Sequence, residues 1–441
     1  MSEEVSWANR TIRECLAESF AGEWGTEPLP GNARVLRATD IDDDGHLISS
    51  GALRRLSLNK LNSRRLKDGD ILLEGSGGGP DKPVGRVAFF NAAQHHDPAV
   101  CSNFFKTLRP NQSVIEPKFL WRMLMWLYRQ PIILTLQQQT TGIINLKFEE
   151  YLNANIEIPT NLGEQRSIAK ILDTLDTSIR EAEKIIDKLK AVKQSLLHDL
   201  LTRGIDANGE LRPPQSEAPQ LYKESQLGWT PKEWRCETLN STIEGSPRNG
   251  IYKPASHIGS GVLLVGQTAF TSEGSVDFTQ ARRARVSDVE CDVFGLREND
   301  LLVSRVFATR EGVGQPVIVP KLLSAAVYES NMMRLRVKQQ VMLPHLLFHW
   351  LKHPTARAWI MSRAFASNQA SINRETICSV PVPLPSISEQ RTILAVVMSH
   401  DSRLRDEMHS LTKLQILKYG LMDDLLTGRV RVTPLLEGAI P

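Results

Sequence analysis

The chain has 441 residues, of which 41% are hydrophobic and 23% are charged, an ordinary composition for a globular protein. One core rarely grows to this size, so two or three domains are expected. No apolar run approaches the roughly 18 residues that a membrane-spanning helix needs, and the N-terminus is unlike a signal peptide. We therefore expect a cytoplasmic protein that does not bind membranes. The net charge of +3 permits nucleic-acid binding without demanding it.

The cysteines argue against two further classes of protein. They are five in number, widely scattered, and none forms a Cys-x-x-Cys pair. We therefore expect neither a disulfide framework nor a zinc site. The five are Cys15, Cys101, Cys236, Cys291 and Cys378.

Residues 1–160 are predicted to form one globular unit. Short β-type runs at residues 34–37, 70–73 and 85–90 are separated by turn residues. A helix-like segment at residues 119–128 follows Pro117. These patterns indicate a mixed α+β domain.

Residues 161–204 carry the strongest pattern in the chain. Asn161 stands three positions before Glu164, which is a capping-box signal, and Pro159 prevents the helix from extending backwards. The apolar spacing then alternates four and three for more than four heptads, which predicts a coiled-coil seam. The seam positions are Ile168, Leu172, Leu175, Ile179, Ala182, Ile186, Leu189, Lys193, Leu196 and Leu200.

Residues 386–428 repeat this segment at a constant offset of 225. Both copies end in Asp-Leu-Leu-Thr, and Gly204 and Gly428 follow as stop signals. We predict that the two helices pair as an antiparallel coiled coil; the alternative is two ordinary core helices, each packing on its own domain. The second seam is Ile393, Val397, His400, Leu404, Glu407, Leu411, Leu414, Lys418, Leu421 and Leu425.

A second globular unit is predicted at residues 228–385, between an exposed linker at 205–227 and the second helix, with a tail at 429–441. It repeats the first unit faintly. We match Arg54-Arg55 with Arg282-Arg283 and Ser102-Asn103 with Ser330-Asn331, both at an offset of 228. Gly69-Asp70 matches Asn299-Asp300 at 230, and Ile144-Asn145 matches Ile372-Asn373 at 228. The fold class is thus α+β, with two similar domains and two long helices.

No catalytic constellation is found. The glycine cluster at residues 75–80 lacks the Gly-Lys-Ser/Thr end of a phosphate-binding loop. The pair His95-His96 has no further ligands at useful spacing, so no metal site is predicted. Hydrolase, zinc-protease and methyltransferase motifs are absent from the sequence.

Basic clusters lie beside predicted strands in both units. Arginine suits bidentate contacts with guanine and phosphate, and amide side chains suit adenine. For any single residue, a solvated surface position remains the competing interpretation. The candidate DNA-binding residues are Arg54, Arg55, Arg64, Arg65, Asn103, Arg282, Arg283, Arg285, Arg305, Arg310 and Asn331, with Gln267 and Asn368 as further amides.

The chain resembles the specificity subunits of type I restriction-modification systems. The two Glu-Gln-Arg helix starts, the two Asp-Leu-Leu-Thr helix ends and the segment from Gly228 to Trp234 carry the resemblance. That segment is similar to the Gly-x-x-Pro-x-x-Trp opening of a target-recognition domain. The first unit, around residues 7–20, lacks it.

The resemblance implies two target-recognition domains, each reading one half of an asymmetric, bipartite sequence in double-stranded DNA. It implies no catalysis and no cofactor in this chain. Two methyltransferase subunits, which use S-adenosylmethionine, and two restriction subunits, which use ATP and Mg²⁺, would dock on it. The two helices would be the docking surface for the methyltransferase pair.

Helix length supports a ruler role independently. Residues 168–201 number 34, which makes a rod of about 50 Å, or about fifteen base steps of duplex DNA. Two modules at the ends of such a rod could read two short DNA half-sites that are separated by a spacer whose sequence is not read. A coiled-coil scaffold that binds protein without DNA specificity remains the alternative, and a self-sufficient methyltransferase or nuclease lacks its motifs.

Overall fold

The computed structural model describes residues 6–27, 30–78, 82–140, 142–365 and 369–432. Asn368, part of the glycine cluster and most of the tail therefore lie outside the described residues. The chain divides into two units, one made of residues 1–184 and 408–441 and the other of residues 185–407. Each long helix thus contributes one segment to each unit.

The first unit is built on a four-stranded sheet in the order β2-β9-β5-β7, and a three-stranded sheet, β4-β3-β8, lies on the same module. Two smaller sheets are β10-β11-β6 and β1-β12. The strands are β1 Trp7–Thr11, β2 Leu16–Ala21, β3 Ala33–Leu36, β4 Ala52–Arg54, β5 Ile71–Glu74, β6 Ser76–Gly78, β7 Val87–Phe89, β8 Ala99–Cys101, β9 Phe105–Pro110, β10 Gln137–Thr140, β11 Ile143–Leu146 and β12 Asn155–Pro159. The helices are α1 Leu58–Arg64, α2 Pro117–Tyr128, α3 Ile132–Thr135, α4 Phe148–Leu152 and α5 Leu162–Thr202.

The second unit repeats this plan with sheets β16-β23-β19-β21, β18-β17-β22, β20-β24 and β15-β25, to which a hairpin, β13-β14, is added. Its strands are β13 Tyr222–Ser225, β14 Gly228–Pro231, β15 Arg235–Thr238, β16 Arg248–Asn249, β17 Ile258–Val265, β18 Arg282–Ala284, β19 Leu301–Ser304, β20 Val306–Phe307, β21 Pro316–Ile318, β22 Ala326–Tyr328, β23 Met332–Leu335, β24 Ala370–Ser371 and β25 Pro381–Leu384. Its helices are α6 Leu239–Thr242, α7 Asp288–Phe294, α8 Pro344–Lys352, α9 Pro354–Ser362, α10 Arg374–Cys378 and α11 Ile387–Leu426.

The two long helices run antiparallel within each unit, as the sequence predicted. In the first unit, Ile168 shares a buried core with Leu425, and Asp176 pairs with Lys418. In the second unit, Leu200 shares a core with Ile393, and Lys193 pairs with Asp401. In both units the residue numbers rise along one helix as they fall along the other.

The same two ion pairs show that the repeat reaches into the helix interface. Asp176 and Asp401 are 225 residues apart, as are Lys193 and Lys418. Each unit therefore contains the same Asp–Lys pair, with the roles of α5 and α11 exchanged. The surroundings differ, because both partners are 3% exposed in the first unit but 31% and 26% exposed in the second.

The sequence match of the arginine pairs was wrong by two residues. Strand β4 and strand β18 are equivalent at an offset of 230, as are Ser57 and Ser287, which cap the helices that follow. Arg54 therefore stands where Ala284 stands, and Arg55 where Arg285 stands. The match of Gly69-Asp70 with Asn299-Asp300 is correct, and both Gly69 and Asn299 have a positive φ.

Two other matches were also displaced. The Gly75 N–H donates to the carbonyl of Phe104, and the Arg305 N–H donates to the carbonyl of Asn331. Asn331 is therefore equivalent to Phe104 and not to Asn103. Likewise, Asn145 pairs with Ser76 as Ser371 pairs with Val306, so Asn145 matches Ser371 and not Asn373.

Residues 205–227 are not the exposed linker that their composition predicted. Arg212, Ala218 and Tyr222 are buried, and the Tyr222 hydroxyl donates to the carbonyl of Pro213. Tyr222 also begins a strand that pairs with β14. The segment is thus part of the second unit's packed structure.

Candidate nucleic-acid interface

An ion pair between a buried aspartate and a partly buried arginine joins the same strands in both modules. The Arg109 guanidinium donates to both carboxylate oxygens of Asp70, at 2.8 and 2.7 Å. Arg336 binds Asp300 in the same way, also at 2.8 and 2.7 Å. Bidentate pairs of this kind impose geometry as well as energy. The framework that carries the surface residues is therefore alike in the two modules.

In the first module, the predicted DNA-binding arginines do not form one cluster. Arg54 lies over the Trp24 ring, is mostly buried, and pairs with Glu27 at 2.5 Å. Arg55 lines a cavity of about 580 Å³. Arg64 lies 5.7 Å from the centroid of the Phe20 ring, a separate place. Of the remaining candidates in this module, Arg65 and Asn103 are exposed.

In the second module, three candidates come together. Arg282, which pairs with Glu329, lines a cavity of about 510 Å³ together with Asn331. The Arg305 Nε–H donates to the Ser330 carbonyl at 3.2 Å, beside the same cavity. Exposed Tyr252 also lines this cavity. Arginine, amide and aromatic side chains thus surround one concave surface.

The other candidates of this module lie elsewhere. Arg283 donates to the carbonyl of Gly261, and Arg285 to the carbonyl of Ser256. Arg310 is exposed in the loop after β20. Gln267 uses its amide to hold the Val306 carbonyl at 2.7 Å, so this side chain positions β20.

Each of the two cavities is flanked by an ion pair, and the helix residue of that pair has opposite charge in the two modules. Lys60 of α1 pairs with Glu23, and Glu290 of α7 pairs with Lys253, each at 2.7 Å. Lys60 and Glu290 are equivalent, since both follow a capping serine by three residues. The equivalent helix positions Lys60 and Glu290 therefore carry opposite charges.

The starts of the long helices carry contacts that the sequence patterns did not reveal. Gln165 receives the Glu116 N–H and donates to the carbonyls of Val114 and Pro159. Gln390 makes the equivalent contacts with Leu343, Val341 and Pro385. The sequence signal that could have indicated these contacts was the Glu-Gln pair that is repeated after each helix cap. These glutamines fasten each long helix to its module.

The preceding glutamates bind distant arginines. Glu164 binds Arg431 of the chain that follows α11. Glu389 binds Arg212, which follows α5, and accepts the Trp234 indole N–H at 3.0 Å. Trp7 is the first module's equivalent of this tryptophan. It packs against Gly428 as Trp234 packs against Gly204, so the opening of the first module is present without the Gly-x-x-Pro motif.

The predicted seam residues of the helices are all buried or half-buried. In the first unit, burial alone would raise the pKa of the Asp176 carboxyl, but the hydrogen bond from His46 and the charges of Arg122 and Lys418 hold it well below its usual range. In the second unit, His349 takes the place of Arg122, and burial and Lys193 lower the pKa of its imidazole to about 4.

No cluster of three or more metal-binding side chains lies within the described part of the chain. His95 stacks on Phe90, and burial lowers the pKa of its imidazole. Among the described helices, none is long and apolar enough to cross a membrane.

A family model described as the type I restriction modification DNA specificity domain matches residues 30–191 and 290–416. The chain is similar to the putative type I restriction enzyme MjaX specificity subunit of Methanocaldococcus jannaschii, with 22% identity over 83% of this chain and 80% of the relative. It is also similar to the EcoKI specificity subunit of Escherichia coli K12, with 27% identity over 75% of this chain and 68% of the relative.

Solved structures share the fold. A chain from a structure that describes complex assembly and conformational transition of the type I R-M system aligns with a TM-score of 0.58 and 16% identity, covering 97% of this chain and 100% of that one. The S subunit of the type I restriction-modification system from M. genitalium aligns with a TM-score of 0.52 and 15% identity, covering 97% of each chain.

Proposed function

The chain belongs to the type I restriction-modification DNA specificity family, and we propose that it reads an asymmetric, bipartite DNA sequence, one half-site with each module. Its role in DNA recognition is non-catalytic. The observation that carries the proposal is the pair of modules with one framework and different surfaces. Asp70–Arg109 and Asp300–Arg336 repeat the framework, while the equivalent positions Lys60 and Glu290 carry opposite charges beside the cavities.

The helices supply docking surfaces for two copies of one partner. Val192 and Leu417 occupy equivalent positions, 225 residues apart, and are 50% and 49% exposed. Solvent-exposed apolar side chains at equivalent positions of the two helices are suited to binding two identical partner subunits. We assign these surfaces to two methyltransferase subunits, which bring S-adenosylmethionine. Two restriction subunits, which bring ATP and Mg²⁺, complete the proposed assembly.

Methylome sequencing tests the proposal. A host that expresses this chain with its neighbouring methyltransferase subunit is compared with a host that lacks this chain. We expect a new methylated motif made of two short half-sites around a fixed spacer. A soluble, assembled complex without a new motif would favour the scaffold alternative instead.

The helices α5 and α11 are further expected to set the spacer. Inserting one heptad into each helix at equivalent positions preserves the seam, because the apolar pattern repeats every seven residues. The rod grows by about 10 Å, or about three base steps. We expect a longer spacer with both half-sites unchanged, read by the same sequencing. The control is a variant in which one heptad of α5 and the equivalent heptad of α11 are exchanged, so that the helix length stays the same. A spacer that is unchanged by the insertion would contradict a ruler role.

A further inference from the structure

A row of polar side chains crosses the small sheet of the first module. Gln138 of β10 lies directly opposite Asn145 of β11, which lies opposite Ser76 of β6. Residues opposite each other in antiparallel strands share one face of the sheet. The row therefore places two amides and a hydroxyl side by side, with Gln138 exposed and Asn145 and Ser76 half-buried. Gln137, one residue earlier, is held by the backbone of Val84 and fixes the start of the hairpin.

The second module has a row at the same place. Phe365 pairs with Ser371 of β24, and Ser371 pairs with Val306 of β20. This row presents an aromatic ring, a hydroxyl and a branched aliphatic side chain. Phe365 is 58% exposed, so its ring is in contact with water.

Backbone hydrogen bonds establish that the two rows are equivalent. The Leu146 N–H donates to the Gly75 carbonyl, and the Ile372 N–H donates to the Arg305 carbonyl. The N–H groups of Gly75 and Arg305 in turn donate to the carbonyls of Phe104 and Asn331, respectively. The same backbone thus displays different side chains in the two modules.

The chemistry of the rows fits the base edges of DNA. Glutamine and asparagine make paired hydrogen bonds with adenine, and apolar side chains contact the thymine methyl group. The major groove of B-DNA admits a two-stranded β-ribbon. Basic side chains lie near both rows: the Lys106 side chain passes close to Gly75 with its ammonium over the Phe148 ring, and Arg305 stands at the position equivalent to Gly75. Such cations suit the phosphates that border a groove.

We propose that these rows read bases in the major groove, with Gln138 selecting adenine in one half-site and Phe365 selecting thymine in the other. This inference rests on the proposed function, because it assumes that each module reads a half-site. The exchange of side-chain chemistry on a common backbone is what two different half-sites need.

Four single substitutions test the proposal in the full complex with the methyltransferase subunit. Gln138→Ala removes the amide, while Gln139→Ala is the matched control, since adjacent strand residues point to opposite faces. Phe365→Ala removes the ring, while Leu323→Ala is its control, since Leu323 is 97% exposed and lies outside the row. The methylated motif is determined for each by single-molecule sequencing.

We expect Gln138→Ala to reduce the preference for adenine at one position about ten- to a hundredfold, with the other half-site unchanged. Phe365→Ala should reduce the preference for thymine at one position of the other half-site, and the controls should keep the original motif. If the wild-type complex yields no bipartite motif, the proposed function itself fails. If it yields one and all four variants retain it, the rows do not read bases. Weaker assembly with an unchanged motif would assign the rows to protein contact and overturn the proposal.

Discussion

Replacing Asp176 with alanine is expected to destabilise the first unit by about 3 kcal/mol. The carboxylate lies between Lys418 and Arg122, which are 3% and 1% exposed. Removing one partner of a buried pair leaves an uncompensated charge, which typically costs about 3–5 kcal/mol. The lower value applies because Asp44 still binds Lys418 and Asp173 still binds Arg122. Peptide-resolved hydrogen exchange across residues 408–426 measures the effect.

The matched control is Asp401→Ala, because the repeat places the same ion pair in the second unit. Asp401 and its partner Lys193 are partly exposed, so water replaces the lost contact and the expected cost is about 1 kcal/mol or less. Equal losses in stability for the two variants would show that burial does not control the strength of these ion pairs.

The contribution of Asp176 to stability should also vanish in acid. The pKa of its carboxyl is lowered in the folded state, so the stabilisation is complete above about pH 4 and is lost as the pH falls.

The long helices could be predicted from the sequence because their repeat contains no insertion. A constant offset of 225 relates the caps and the seam residues, and the stop glycines Gly204 and Gly428 depart from it by one residue. Asn161 and Ser386 accept N–H groups of the first turn, and Gly204 and Gly428 adopt positive φ, as a helix stop requires. Antiparallel pairing followed from chain order.

The candidate arginines could not be aligned from the sequence for a physical reason. Strands have a period of two residues, so an alignment displaced by two preserves the pattern of buried and exposed positions. Loops of different length changed the offset between equivalent residues of the two modules from 228 to 230. The pattern of buried and exposed positions did not reveal this change. The register of β4 against β3 and of β18 against β17, together with the helix caps Ser57 and Ser287, reveals that Arg54 matches Ala284.

Partners distant in the chain were also beyond sequence reasoning. Asp70 and Arg109 are separated by 39 residues, and Glu389 and Arg212 by 177. No local spacing rule links such residues, and each alone resembles a solvated surface charge. The repeat could have identified Asp70–Arg109, because Asp300 and Arg336 carry the same residue types at nearly the same offset.

Replacing Glu389 with alanine is expected to destabilise the second unit by about 3–5 kcal/mol. This carboxylate binds the Arg212 guanidinium, the Ile205 N–H at 2.9 Å and the Trp234 indole N–H at 3.0 Å. Arg212 is 7% exposed, and its other acidic partner, Glu233, is mostly in solvent. The substitution therefore leaves a buried charge poorly compensated. Loss of exchange protection at residues 203–212, together with a lower urea midpoint, measures the effect.

Glu164→Ala is the matched control at the equivalent helix start of the first unit. Its partner Arg431 is 35% exposed, so the freed guanidinium can be hydrated and the expected cost is about 1 kcal/mol. If Glu389→Ala left residues 203–212 as protected as in the wild type, the segment after α5 would be held by its apolar contacts alone. Ile205 and Leu211 would then carry the attachment, since both pack in the second unit's core. The expected contrast between the two glutamates instead makes Glu389 the residue that fixes the chain after α5 to the start of α11.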